Sequence, residues 1–379
     1  QDFSYINNRT DGRKNYKFGY AAHLDSGYSI DDVCGLIAKS GAGMVRGGFA
    51  RWWYVDEANK PKYRYNRYEQ LNEMIAAFKK YDFQVVALLG LYGPNKYEGI
   101  TAATDIPITE DALKGYEGFC RYVAQLYKSE GIKVLAYELW NEIDLLGFNR
   151  NGTPYQAGVM ARRGAKSILD VDPNAAIGLS DCMGPFYENT YAKQLDGGYG
   201  EDANDLTVHM YDPDRVTEDG IAEKWVNEFK RVYKEKTGKD IKTVNNTEYG
   251  RSTAALISKN YRDVARYCVR DNVYWFGRGV LDSIAWYNFV RKGEIDNYKE
   301  STYGHLQSYQ ENVDTTPLAA TEVYVAETNY NTLLMDTGVA KRLVDGEDDK
   351  YAYIFEKSTD EKPVMAVWAK DVTKMLSFK

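Results

Sequence analysis

Two glutamates close strand-length apolar runs that lie far apart in the chain. Glu142 ends Tyr137-Glu138-Leu139-Trp140-Asn141-Glu142, and Glu248 lies within Asn245-Asn246-Thr247-Glu248-Tyr249-Gly250. Brought face to face, one protonated and one ionised carboxyl group can break a glycosidic bond. One gives its proton to the leaving oxygen while the other attacks the anomeric carbon, and a double displacement needs about 5 to 5.5 Å between them. Taken alone, each string describes a solvated glutamate beside an asparagine equally well, so the pairing depends on whether the fold brings the two together.

The surrounding pattern supplies such a fold. Apolar strand-length runs alternate with helix-period segments, the signature of parallel βα units. Eight strands are expected: Lys17 to His23, Met44 to Phe49, Gln84 to Leu91, Val134 to Glu142, Ala176 to Asp181, Leu206 to Tyr211, Lys242 to Glu248 and Ser283 to Asn288. Eight units predict an α/β chain closed into a (β/α)8 TIM barrel, whose active site gathers at the C-terminal ends of the strands. The fourth and seventh strands then face each other across the barrel mouth, each carrying one glutamate. Helix starts are expected at Ser29, Thr109 and Asp219, and a last helix over Pro317 to Met335 with Thr316 as its N-cap. From about Gly338 the pattern changes to period two, with acidic and polar turns between runs (GVAKRLVD, KYAYIFEK, KPVMAVWAK). The chain therefore divides into a catalytic barrel over 1–336 and a small antiparallel β appendage over 337–379, too small to stand without leaning on the barrel.

Composition narrows the partners. A net charge of −7 without any Lys/Arg cluster excludes a nucleic-acid binder, because polyanions need concentrated positive charge. No apolar run reaches the roughly eighteen residues of a membrane span. The four cysteines, Cys34, Cys120, Cys182 and Cys268, have no metal-knuckle or dithiol spacing and read as buried thiols. Three histidines are too few for a metal-dependent barrel hydrolase, so neither a metal nor another cofactor is expected. The 33 tyrosines and 7 tryptophans supply flat rings with polar edges, suited to pyranose faces as well as to the core. The polar start at Gln1 reads as a mature chain after signal-peptide removal, hence secreted, periplasmic or cell-surface. A monomer is expected.

The motifs together carry a resemblance. Trp140-Asn141-Glu142 on strand four, His209-Met210-Tyr211 on strand six, Thr247-Glu248-Tyr249-Gly250 on strand seven and Trp286 on strand eight resemble the clan A retaining glycoside hydrolases, over about Tyr16 to Met335. The resemblance implies Glu142 as acid/base and Glu248 as nucleophile. It further implies that Asn141 contacts the sugar 2-hydroxyl and that Arg46, ending strand two, holds the nucleophile ionised. Tyr211 would hydrogen-bond the nucleophile with His209 as its companion, and Trp286 would form the platform under the sugar. Leu89-Gly90-Leu91-Tyr92-Gly93 lacks the strand-three histidine of family 5, whereas the strand-four string and the β appendage look more like family 39.

Three further residues stand at strand ends. His23 is placed to bind a sugar hydroxyl or to serve structure, and Trp52 in Arg51-Trp52-Trp53 to stack on sugar or fold over the rim. Glu138 shares side-chain parity with Glu142 and reads as an ion-pair partner behind it. The expected activity is retaining hydrolysis of a β-linked polysaccharide or oligosaccharide, xylan or β-glucan favoured. The alternative is a catalytically degenerate carbohydrate-binding barrel.

Overall fold

The computed structural model describes residues 13–24, 28–53, 67–182, 188–203, 205–212, 214–290, 302–307 and 318–370. Eight parallel strands, β1 (Asn15–Ala21), β2 (Ala42–Gly47), β3 (Gln84–Leu88), β4 (Lys133–Glu138), β5 (Ile177–Cys182), β6 (Asp205–Val208), β7 (Thr243–Tyr249) and β8 (Ser283–Trp286), pair in chain order and close into a barrel. Among the described residues eight helices alternate with them: α1 (Ile30–Lys39), α2 (Arg67–Lys80), α3 (Glu110–Glu130), α4 (Pro154–Leu169), α5 (Glu188–Asp196), α6 (Ile221–Thr237), α7 (Tyr261–Arg278) and α8 (Glu322–Leu333). The expected (β/α)8 barrel is the fold. No described helix is long and apolar enough to cross a membrane.

The helix starts follow from side chains that satisfy first-turn N–H groups. Ser29 accepts from the Asp32 amide and Thr109 from the Ala112 amide, while Thr153 and Gln156 form a reciprocal capping box on α4. Two expected starts are corrected. Helix α6 begins at Ile221 because Gly220, at φ 69°, separates it from a short 3₁₀ turn that holds Asp219. Helix α8 begins only at Glu322, since Ala319–Ala320 (β10) is extended and pairs with Leu306–Gln307 (β9). Thr321 stands at its N-cap, but its hydroxyl donates to the His305 carbonyl at 2.8 Å. Thr316 and Pro317 lie outside the described residues.

Strand parity separates the two sides of the barrel wall. Phe18, Tyr20, Val45, Val85, Ile284 and Trp286 belong to the layer under the helices. The alternate positions Ala21, Met44, Val86 and Ala285 form a small apolar plug of their own, which fills the barrel beneath the polar mouth. The last three strands, β11 (Lys341–Asp345), β12 (Lys350–Phe355) and β13 (Val364–Ala369), make the expected small antiparallel sheet. It leans on α7 through buried Tyr353, whose ring sits where a side chain at Gly277 would be, and Trp368 donates to Glu218 at 2.6 Å.

Behind β8, Trp286 donates to the Asn272 carbonyl oxygen at 3.2 Å, and the Asn272 amide donates to Glu327 at 3.0 Å. Glu327 is fully buried, and burial pushes its carboxyl well above the ordinary glutamate range, with Asp271 adding to the rise. The folded chain therefore holds a proton that the unfolded chain loses above its unperturbed pKa. Stability from this group is complete below that pKa and declines as pH climbs toward the folded value, by up to about 1.4 kcal/mol per pH unit. Glu327→Gln is expected to remove that slope, measured by denaturant unfolding across neutral and alkaline pH; parallel slopes for both chains would contradict it.

Candidate active site

The site forms where β2, β4, β6 and β7 end. Arg46 on β2 projects into the mouth by the same parity as Met44 below it, and its planar fork reaches four groups. It donates to Glu138 through Nε at 2.8 Å, to Glu248 Oε2 through Nη1, and to Asn141 Oδ1 through Nη2 at 2.8 Å; His209 Nε2 lies 3.0 Å from Nη2. Arg46 is 4% exposed and Glu138 fully buried, so this ion pair is shielded from water. Glu138 thus backs the site as expected, held by the cation that also holds Glu248.

The histidine tautomer follows from its partners. A guanidinium only donates, so His209 Nε2 must accept from Arg46, and its proton sits on Nδ1, donating to Glu142 Oε1 at 2.9 Å. Burial, followed by the Arg46 charge, lowers the His209 pKa to about 4, so the ring is neutral above mildly acidic pH. Tyr211 donates to Glu248 Oε1 at 3.0 Å. Both oxygens of Glu248 are therefore held, one by a cation and one by a phenol. One oxygen of Glu142, one of Glu248 and a nitrogen of His209 all lie within 4.8 Å of one another. Such a triad resembles a cation site, yet Arg46 already presents its charge to Glu248 and its N–H to the histidine.

Glu142 stands beyond the regular strand: β4 ends at Glu138, and Trp140 (φ 104°) and Glu142 (φ 40°) have left-handed backbone. Non-glycine residues rarely adopt such angles, which cluster where the surrounding structure fixes a functional side chain. Trp140 is anchored by its indole N–H on the Phe148 carbonyl at 2.6 Å, and it packs on Gly90, where a Cβ would stand 2.7 Å from the ring. Glu248 is aimed by a different device. Opposite Ile284 and Trp286 of β8 lie Asn246 and Tyr249 of β7, so β7 carries one extra residue in between. This irregularity lets Val244 and Tyr249 both pack under the helices while Glu248 turns to the cavity.

The cavity has a volume of about 630 Å³ and is lined by His23, Arg46, Asn141, Glu142, Tyr211 and Glu248 among others. His23 is exposed and meets the Tyr287 ring edge-on at 5.7 Å. Two expected aromatics stand elsewhere. Trp286 is fully buried, with its ring 4.9 Å from Tyr249, because strand parity points it at α7 rather than into the mouth. Trp52 is likewise fully buried, stacked on Tyr97. Tyr287 and Tyr303 line the cavity instead. Tyr287 was legible as the inward neighbour of Trp286, whereas Tyr303 arrives from the connection after β8 with no local signal.

Burial outweighs the cation at Glu248. Burial raises its pKa above the ordinary glutamate value, with His209, Arg46 and the Tyr211 hydrogen bond opposing the rise and Glu142 adding to it. Arg46 therefore limits the rise instead of producing a net depression. Arg46→Met removes a charge that favours the ionised form, so the acidic limb of a kcat/KM profile is expected to move to higher pH. The same change strands the Glu138 carboxylate, at a cost of about 3 to 5 kcal/mol seen as a lower Tm. An unmoved limb would show that Arg46 does not govern Glu248.

No protein-family profile and no curated protein sequence matches the chain. Solved structures do match. A family 39 glycoside hydrolase from the gut symbiont Bacteroides cellulosilyticus WH2 superposes with a TM-score of 0.73 at 19% identity, covering 96% of this chain and 72% of that one. A family 39 β-xylosidase from Caulobacter crescentus gives 0.61 at 13%, over 90% and 75%. A family 30 endoxylanase from Clostridium papyrosolvens C71 gives 0.57 at 15%, over 94% and 81%. At such identities the similarity establishes a common fold, and the barrel expected from the βα alternation is the barrel on which these glycoside hydrolases are built.

Proposed function

We propose that the chain is a retaining β-glycoside hydrolase with Glu248 as nucleophile and Glu142 as acid/base. One observation carries the reading: carboxylate oxygens of Glu142 and Glu248 come within 4.8 Å of each other in a cavity open to solvent. So close an approach supports double displacement over the wider spacing, about 6.5 to 9.5 Å, at which an inverting enzyme places its carboxyl groups.

The environments support this division of roles. Glu248 accepts from Arg46 and Tyr211, donors that favour its ionised form. Glu142 faces the neutral His209 ring, which orients it. In the first step Glu248 forms a bond to the anomeric carbon as the bond to the leaving oxygen breaks, and Glu142 gives that oxygen its proton. In the second, Glu142 takes a proton from water, the water oxygen bonds to the same carbon, and Glu248 is released. Asn141, held by Arg46 on its carbonyl oxygen, presents its amide to Glu142 at 3.4 Å and is assigned to the sugar 2-hydroxyl. His23 and Tyr287 are assigned to other sugar contacts on the β8 and β1 side.

The substrate assigned is a β-linked polysaccharide or oligosaccharide, with xylan or β-glucan type favoured. The structural neighbours described as a β-xylosidase and an endoxylanase support that choice. Action outside the cytoplasm belongs to the same proposal, because polymeric glycans do not cross membranes. Release of reducing sugar from a panel of β-glycans, with products resolved by length and by anomeric form, tests it. The first product should carry the β configuration; an α product, or no hydrolysis of any β-glycan, would refute it.

A further inference from the structure

The Arg51-Trp52-Trp53 string sends its two indoles to different places. Trp52 is buried, whereas Trp53 is half-buried and lines a second cavity of about 390 Å³ with Tyr92, Pro94, Asn95 and Lys96. Tyr92 lines this cavity and the catalytic one, which makes them neighbours on the rim beyond β3. Tyr92 is 40% exposed, and the Arg51 guanidinium sits 4.7 Å from its ring centroid. The Tyr92 backbone is left-handed at φ 55° and donates to the Ala103 carbonyl at 2.6 Å. Gly93 follows, and a Cβ there would stand 3.0 Å from the Trp52 ring, so the loop closes onto the buried indole because the residue is glycine. Buried Trp52 therefore anchors the loop that carries Tyr92, and Trp53, the next residue after Trp52, lines the same cavity as Tyr92.

We propose that this second cavity is a distal sugar subsite, taking a neutral pyranose of an extended β-linked oligosaccharide whose scissile bond lies between Glu142 and Glu248. The inference rests on the glycosidase reading above and deepens it. A pyranose offers apolar C–H faces and a rim of hydroxyl groups. Aromatic rings match the faces, and the exposed Asn95 carboxamide and Lys96 ammonium offer hydrogen bonds to the rim. The chain thereby favours long substrates over short ones.

The test is binding, which does not depend on turnover. Calorimetry follows β-linked xylo-, cello- and manno-oligosaccharides, from disaccharide to hexasaccharide, on the full chain carrying Glu248→Gln. Affinity is expected to climb by about tenfold or more with length in at least one series. The climb should vanish when Trp53→Ala is added and return with Trp53→Phe, with circular dichroism confirming the fold in each. Absence of any climb, or an equal loss at every length in Trp53→Ala, would overturn the proposal. Hydrolysis by the unsubstituted chain, assayed separately, bears on the glycosidase reading: hydrolysis without length-dependent binding sinks the subsite alone, and length-dependent binding without hydrolysis sinks that reading alone.

Discussion

With alanine in place of Glu248, kcat on β-glycosides is expected to fall by about 10⁴-fold or more while the chain remains folded, since a covalent route loses its nucleophile outright. Two features of the site predict that folding survives. Ionised Glu248 is held in a burying environment that raises its pKa, so removing it relieves a desolvated charge. Arg46 meanwhile keeps Glu138 at 2.8 Å and Asn141 at 2.8 Å, so its guanidinium is not stranded. The alanine leaves a gap beside the anomeric centre that a small anion can enter. Added azide is therefore expected to restore part of the rate on an activated aryl glycoside and to give an α-glycosyl azide, because it attacks from the face Glu248 used. Steady-state kinetics with product analysis checks this; unchanged kcat, or a β-configured azide product, would remove Glu248 from the role of nucleophile.

Replacing Glu142 by alanine is expected to act selectively. An aryl leaving group of low pKa departs without a proton, so kcat/KM on such a substrate stays within about tenfold of the original. A sugar leaving group needs the proton, and its kcat/KM is expected to fall by about 10² to 10⁴-fold. The second step also loses its base, so the glycosyl-enzyme should accumulate on the activated substrate and appear as a burst of released phenol. Comparable losses on both substrates would assign Glu142 to orientation alone. His209 supports the acid role indirectly: being neutral above a pH of about 4, it orients Glu142 by hydrogen bonding without placing a second cation beside it.

The convergence of the two carboxyl groups at the barrel mouth was legible in the sequence because they sit in strings that end strands, and strand order places the fourth and seventh strands opposite one another. Arg46, Asn141, His209 and Tyr211 were legible for the same reason, each lying at a strand end within a recognisable motif. Glu138 followed from parity with Glu142 alone. The resemblance misled where it overrode strand alternation: Trp286 shares parity with Ile284 and lies under α7, whereas Tyr287, one residue on, lines the cavity.

What the linear pattern determined about this protein is therefore the βα alternation, the barrel it closes and the identity of the groups at its mouth, because periodicity of apolar residues records which face of each element is buried. Tertiary structure alone decided how those groups meet. The extra residue that turns Glu248 inward on β7 leaves no trace in hydropathy, and neither does the left-handed backbone at Trp140 and Glu142. Tyr303 reaches the cavity from the connection after β8, and the rise in the Glu248 pKa comes from burial by neighbours remote in the chain. Such features depend on the simultaneous approach of several segments, and local sequence carries no term for the distance between them.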